Sequence, residues 1–128
     1  MAETGPLDIV IDDGSHISKH VIGSFDALFP HVRPGGLYVI EDLQMSYWPS
    51  FGGSEEPQPG TTTRVGMLKD LVDGLNHREL TDRHPRPPRS TDALISAVHF
   101  YHNLAVLEKG GNTEPGAPAW LVRTMAGA

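Results

Sequence analysis

"LDIVIDDGSHISKHVIGSFDALFPHVRPGGLYVIED", residues 7–42, is the stretch on which the fold turns. Its first five residues, "LDIVI" (7–11), are rich in β-branched side chains and almost continuously apolar. That pattern suits a strand covered on both faces of a parallel sheet, and places it centrally. From His16 the apolar period changes. Ile17, Val21, Phe25, Leu28, Phe29 and Val32 fall at helical spacings, with Ser15 positioned as an N-cap. "RPGG" (33–36) is expected to end the helix in a tight turn, because Pro34 disfavours helical geometry at Arg33. "LYVIE" (37–41) then reads as a second buried strand, so residues 7–41 form one βαβ unit with a right-handed crossover.

Beyond this unit, residues 44–62 hold prolines, glycines and the aromatics Tyr47, Trp48 and Phe51, the composition of a long loop. Loops of that length tend to be functional or disordered. A second helix is expected over 63–80, with Val65, Leu68, Leu71, Val72 and Leu75 as its apolar stripe and Gly66 and Gly74 weakening it. After the proline-rich "RHPRPPR" (83–89), "ISAVHFYHNLAVLEKG" (95–110) reads as two antiparallel strands meeting near His102 and Asn103. The Gly-, Pro- and Ala-rich segment 111–128 is expected to be an irregular tail, with Trp120, Leu121 and Val122 candidates for packing back. Residues 1–6 read as a leader or tag-like segment.

The whole-chain chemistry bounds what such a fold does. A length of 128 residues suits one domain. Its 38% hydrophobic and 20% charged content is that of a globular protein, and no apolar stretch approaches a membrane span. The beginning lacks the basic and apolar regions of a secretory signal, so a cytoplasmic location is the expectation. Without cysteine there is neither a disulfide nor a thiolate ligand or nucleophile, and any metal must use oxygen or imidazole donors. A net charge of -6 argues against nucleic-acid binding, which relies on clustered Lys and Arg.

Open α/β sheets bind ligands beyond the carboxyl ends of their strands, and both acidic pairs of the chain lie there. Asp12 and Asp13 follow the first strand; Glu41 and Asp42 follow the second. If the strands are neighbours, these ends sit ~5 Å apart and the carboxylates converge. Either pair alone is commonly a helix cap or a solvated surface, but two pairs at matching ends need a cation, protons or hydrogen bonds to relieve repulsion. Hard oxygen donors favour magnesium, calcium or manganese. His16, at the mouth of the first helix, is kept neutral by the helix N-terminus and available as a base. His20, one turn later, is either a second ligand or a surface residue.

The combination IDDGSH, PGG, YVIEDL and SYW, dense over residues 8–53 and looser over 99–110, resembles the metal-dependent class I O-methyltransferases that modify deoxysugars in macrolide antibiotic biosynthesis. The resemblance implies that Asp13, Glu41 and Asp42 hold Mg2+ (or Mn2+), and that His16 is the general base. It also implies S-adenosylmethionine as methyl donor and a glycosylated small molecule as acceptor. Tyr47 and Trp48 would contact the substrate or merely anchor their loop.

By position the chain resembles strands four to seven of that partial Rossmann-like α/β fold, parallel strands plus a terminal antiparallel hairpin, with residues 7–110 as the C-terminal half of the domain. The glycine-rich turn that would bind the cofactor is missing: no G-x-G-x-x-G occurs in the chain. The expected function is thus Mg-assisted O-methylation of a sugar hydroxyl by a parent enzyme of which this chain is an incomplete and by itself inactive part. A noncatalytic half-domain acting through self-association is the alternative. A metal-dependent hydrolase or oxygenase is a weaker third reading, since a 2-His-1-carboxylate site needs a second placed histidine. A homo-oligomer, or association with a missing N-terminal half, is expected either way.

Overall fold

A computed structural model describes residues 5–15, 17–58, 60–80, 86–118 and 120–121. Its strands are β1 (Leu7–Asp12), β2 (Val32–Ile40), β3 (Ile95–Tyr101) and β4 (Leu104–Lys109), and its helices are α1 (Ser18–Leu28) and α2 (Arg64–Leu75). The sheet order is β1-β2-β4-β3, with β1 parallel to β2 and both remaining pairings antiparallel. This is the α/β arrangement expected from the sequence, a βαβ unit extended by a hairpin whose second strand pairs with β2.

The two helices bury their apolar stripes against one face of the sheet. Val21 and Phe25 of α1 and Leu68 and Leu71 of α2 share a core with Tyr38, Ile40, Ala105 and Leu107. Tyr38 packs edge-on against Phe25, with ring centroids 5.2 Å apart. Side chains alternate between faces along a strand, so Ile9, Ile11, Val39 and Val106, registered across β1, β2 and β4, lie on the opposite face. No helix covers them among the described residues. Also among the described residues, no helix is long and apolar enough to cross a membrane.

Several local expectations are corrected. β1, whose apolar run suits a central place, is an edge strand, as a chain resembling only strands four to seven would leave it, and Ile9 and Ile11 are 58% and 62% exposed. Its apolar run is that of a strand covered on both sides, but among the described residues it has one strand neighbour and one covered face. "RPGG" is not a turn between helix and strand; it lies inside β2. Pro30, without an N–H, instead tightens the end of α1 into a 3-10 turn over Phe29–His31. Gly36 then lets β2 cross β1 closely, since a Cβ there would meet the Asp8 carbonyl oxygen at 2.6 Å. The helix N-cap is Ile17 rather than Ser15, although the Ser15 hydroxyl does accept the Ile17 N–H at 3.2 Å.

The hairpin turn falls at His102 and Asn103, with Asn103 in the left-handed region at φ 62°. Within the tail, residues 111–118 have no regular secondary structure, yet Asn112 donates through Nδ2 to the carbonyls of Leu75 and Asp92. Trp120 is 63% exposed rather than packed into the core. Val122 lies outside the described residues. Arg86 and Arg89 of the proline-rich connection are structural cations: Arg86 bridges Asp70 and Asp92, and Arg89 pairs with Asp70.

Candidate metal and acceptor site

Parallel pairing brings the two acidic segments together. Asp12 is registered with Ile40, and the Glu41 N–H donates to the Asp12 carbonyl at 3.1 Å, carrying the ladder past the end of β2. Asp13 and Glu41 consequently face one another. The Asp13 charge, followed by partial desolvation, hydrogen bonding to Asp13 and the Asp42 charge, raises the Glu41 carboxyl above the usual range. Asp42 turns out of the strand in the left-handed conformation, φ 57°, and its Oδ1 accepts from Gln44 Nε2 at 3.3 Å.

The expected crowd of four carboxylates is divided. Asp12 lies on the helix-covered side of β1, where its Oδ1 accepts the Gly14 N–H at 3.3 Å and its Oδ2 is buried without a hydrogen-bond partner among the described residues. Asp13, Glu41 and Asp42 remain at the rim, Asp13 exposed and the other two half-buried. Among the described residues, no three acidic or histidine side chains are already drawn into a metal-holding cluster. In kind, the rim set fits a hard divalent cation: the donors are all oxygen, and the mutual repulsion of Asp13 and Glu41 is what such a cation relieves. His16, the base candidate, lies outside the described residues. His20 is exposed, and its Nδ1 is 2.8 Å from the Ser15 hydroxyl.

One residue of the site escaped the sequence reading. Arg64, the first residue of α2, is 1% exposed and reaches across the fold to both strand ends. Its Nη1 donates to the Asp42 carbonyl at 2.7 Å and to that of Glu41 at 3.4 Å, while Nη2 donates to the Ser15 carbonyl at 3.0 Å. One planar guanidinium thus ties the loop after β1 to the loop after β2. Burial lowers its pKa, opposed by the charges of Asp12 and Asp42. A cation at a helix N-terminus opposes the helix dipole. That misplaced charge is the sequence signal that could have marked Arg64 as a tertiary clamp.

Tyr47 ends the 3-10 turn Leu43–Tyr47 and Trp48 follows it; they are 43% and 46% exposed. They border a cavity of about 470 Å³ that also takes in Leu43 and Gln44, immediately beyond Asp42. Its far wall is the hairpin turn, and the Leu43 N–H donates to the Asn103 carbonyl at 3.1 Å, joining the two walls. Trp48 packs near Phe51, with centroids 6.0 Å apart.

This architecture has relatives. No protein-family model matches the chain. It is 57% identical over 122 residues to demethylmacrocin O-methyltransferase of Streptomyces fradiae, a match covering 95% of this chain and 31% of that enzyme. It is 56% identical over 119 residues to mycinamicin VI 2''-O-methyltransferase of Micromonospora griseorubida, covering 93% and 30%. Among solved structures, the MycE methyltransferase of the mycinamycin biosynthetic pathway, in complex with Mg, SAH and mycinamycin VI, superposes with TM-score 0.86 at 52% identity, over 99% of this chain and 33% of that one. The chain therefore spans about a third of the length of the relatives it matches. Over the residues it contains, it is a sequence and structural relative of the C-terminal part of sugar O-methyltransferases.

Proposed function

We propose that this chain supplies the metal-holding and acceptor-orienting part of an S-adenosylmethionine-dependent O-methyltransferase acting on a sugar hydroxyl of a glycosylated natural product. The observation that carries the reading is the Glu41 N–H to Asp12 carbonyl hydrogen bond, 3.1 Å, which sets the two acidic strand ends side by side. Asp13, Glu41 and Asp42 would hold Mg2+ or Mn2+. When bound, such an ion supplies positive charge that acidifies a coordinated hydroxyl and fixes its direction. Arg64 keeps Glu41 and Asp42 in place through their carbonyls, leaving the carboxylates for the ion. His16, three residues after Asp13, is the candidate to accept the hydroxyl proton, a role typically worth ~10² to 10⁴ in rate. The residues of this chain include no glycine-rich phosphate or nucleoside cradle, so the methyl donor would be held elsewhere and no transfer step is assigned to this chain alone.

We take residues 7–110 as the folded unit of this part, with Asn112 beyond it tied to the carbonyls of Leu75 and Asp92. The second reading, a noncatalytic half-domain that acts by associating with itself, is favoured by one observation: the edge strand β1 presents Ile9 and Ile11 to solvent.

Titrating the ¹⁵N-labelled chain with Mn2+ tests the metal reading. Paramagnetic broadening should centre on the amides of Asp13, Glu41 and Asp42, be displaced by excess Mg2+, and weaken at least tenfold in Asp13→Asn and in Asp42→Asn. Broadening centred elsewhere, or unchanged in both variants, overturns the assignment.

A further inference from the structure

The adjacent aspartates at the end of β1 go to different sides. Asp13 stands exposed at the rim, whereas Asp12 follows Val10 on the face that packs against the helices. Asp12 Oδ1 accepts the Gly14 N–H, and its Oδ2 is buried with no hydrogen-bond partner among the described residues. A buried carboxylate oxygen left in that state is costly, so a donor that could meet it is worth seeking.

Arg64 carries that donor. Its Nη1 and Nη2 are spent on the carbonyls of Glu41, Asp42 and Ser15, but its Nε, likewise buried, has no partner among the described residues. Backbone contacts hold both residues to the same corner of the fold: the Asp12 carbonyl accepts the Glu41 N–H, and Arg64 Nη1 reaches the Glu41 carbonyl. Burial lowers the Arg64 pKa, and of the two charges that oppose this Asp12 acts ahead of Asp42. A buried donor and a buried acceptor, opposite in charge and both unused, thus share one corner, where a direct contact or a bridging water joins them.

Resting on the metal reading, we propose that Asp12 is not a fourth ligand but the counter-charge of Arg64, and through Arg64 a positioning residue for the acidic rim. The carbonyls of Ser15, Glu41 and Asp42 accept hydrogen bonds but carry no net charge. A buried guanidinium held by them alone would be drawn to the nearest free carboxylates, those of Glu41 and Asp42, and would take from the ion the oxygens it needs. With Asp12 on Nε, the fork stays on the carbonyls and the rim stays open. The adjacent aspartates then have separate tasks, Asp12 for the protein's own cation and Asp13 for the bound one.

The test reads Arg64 directly in the ¹⁵N-labelled full chain. Without metal, the Arg64 ¹⁵Nε–¹Hε signal should be protected from exchange with water. In Asp12→Asn, which keeps the size of the side chain and the acceptor for Gly14, that signal should shift and exchange about tenfold faster or more, with the helix amides in place. Mn2+ affinity, read from broadening at Glu41 and Asp42, should fall about three- to tenfold in Asp12→Asn. In an Arg64→Met or Arg64→Gln background, where there is no cation to be misplaced, the same substitution should cost about threefold less, or smaller still. The two readings fail separately: a parent chain without Mn2+ broadening removes the metal reading, and the Nε signal, recorded without metal, still decides the pair. An Nε signal that does not respond to Asp12→Asn, Mn2+ affinity unchanged in that variant, or an equal loss of affinity with and without Arg64, as for a direct ligand, would overturn the proposal.

Discussion

Arg64 Nη1 donates to the carbonyl oxygen of Asp42 at 2.7 Å from a side chain that is 1% exposed. A buried cation whose two Nη groups are held by backbone carbonyls, rather than by a carboxylate, makes loop geometry depend on one side chain. Arg64→Ala would leave the carbonyls of Ser15, Glu41 and Asp42 without this donor and open a cavity beneath them. The expected loss is about 2–5 kcal/mol of stability in chemical denaturation. Arg64→Lys should recover only part of it, because a single ammonium cannot reproduce the planar fork that spans both loops. Mn2+ affinity should fall in both variants, more than the loss of folded protein accounts for. Stability or metal affinity equal to that of the parent chain would remove Arg64 from the site.

A second cation governs the acid limit of the fold. Burial pushes the Asp92 carboxyl up, but hydrogen bonds from Arg86 and the Arg89 N–H, with the charges of Arg86 and His77, outweigh it and hold Asp92 below the usual carboxylate range. Asp70 behaves alike: burial raises it, and hydrogen bonds and charge from Arg86 and Arg89 more than reverse this. Because both folded pKa values are depressed, their contribution to stability is fully present above the unfolded value, about 3.9, and is lost as pH falls below it through the folded values. Thermal stability should therefore be flat in this respect from pH 7 to 5 and drop beneath pH 4. Arg86→Gln should cost about 3–5 kcal/mol at pH 7, as expected for a carboxylate left buried without its partner. In that variant the desolvated Asp92 is expected to titrate upward, so mild acid should recover part of the loss. A variant with the parent's pH profile would show the pair to be unimportant.

The hairpin offers a backbone test. Asn103 holds φ at 62°, a region open to Asn and Gly at low cost and unfavourable by about 1–2 kcal/mol for other residues. Asn103→Gly should preserve the fold and the turn, whereas Asn103→Val should destabilise the chain by roughly that amount. Differential scanning calorimetry distinguishes the two. Equal melting temperatures for both variants would mean that the turn relaxes without consequence.

Local periodicity made β1, α1 and the hairpin legible, because Val21, Phe25 and Phe29, or the alternation around Ala105 and Leu107, are set by neighbours in sequence. The acidic rim was legible for the same reason: a βαβ unit dictates that Asp13 and Glu41 meet. What escaped depends on contacts distant along the chain. "RPGG" reads as a turn until the Asp8 carbonyl, approaching to where a Gly36 Cβ would stand, explains why a glycine lies inside a strand. Arg64 reaches a carbonyl 49 positions away, and no local pattern announces that reach. Composition alone suggests a central place for β1, since an apolar run records what a strand is suited to pack against; its edge place follows instead from the resemblance of this chain to strands four to seven only.

That exposure leads to the final prediction. Among the described residues β1 has one strand neighbour, β2, so its outer edge carries backbone donors and acceptors unpaired by the sheet, flanked by Ile9 at 58% and Ile11 at 62% exposure. Unpaired edges next to apolar side chains are templates for a further strand. Charge on this edge is confined to Asp8, which pairs with Arg33 at 2.7 Å, and to Asp12 at the far end. Between them, "IVI" carries no charge that would repel a second copy. Two β1 strands meeting edge to edge close a symmetric pair in which each copy covers the other. The chain should therefore elute as a dimer or larger species in size-exclusion chromatography with light scattering. Ile9→Lys and Ile11→Lys should each shift it toward monomer without loss of helix or sheet signal, since both side chains already face water. Neither residue belongs to the acidic rim, so Mn2+ broadening at Asp13 and Glu41 should persist in these monomers. A parent chain that is monomeric at high micromolar concentration, or lysine variants that associate as before, would mean that β1 is not the contact.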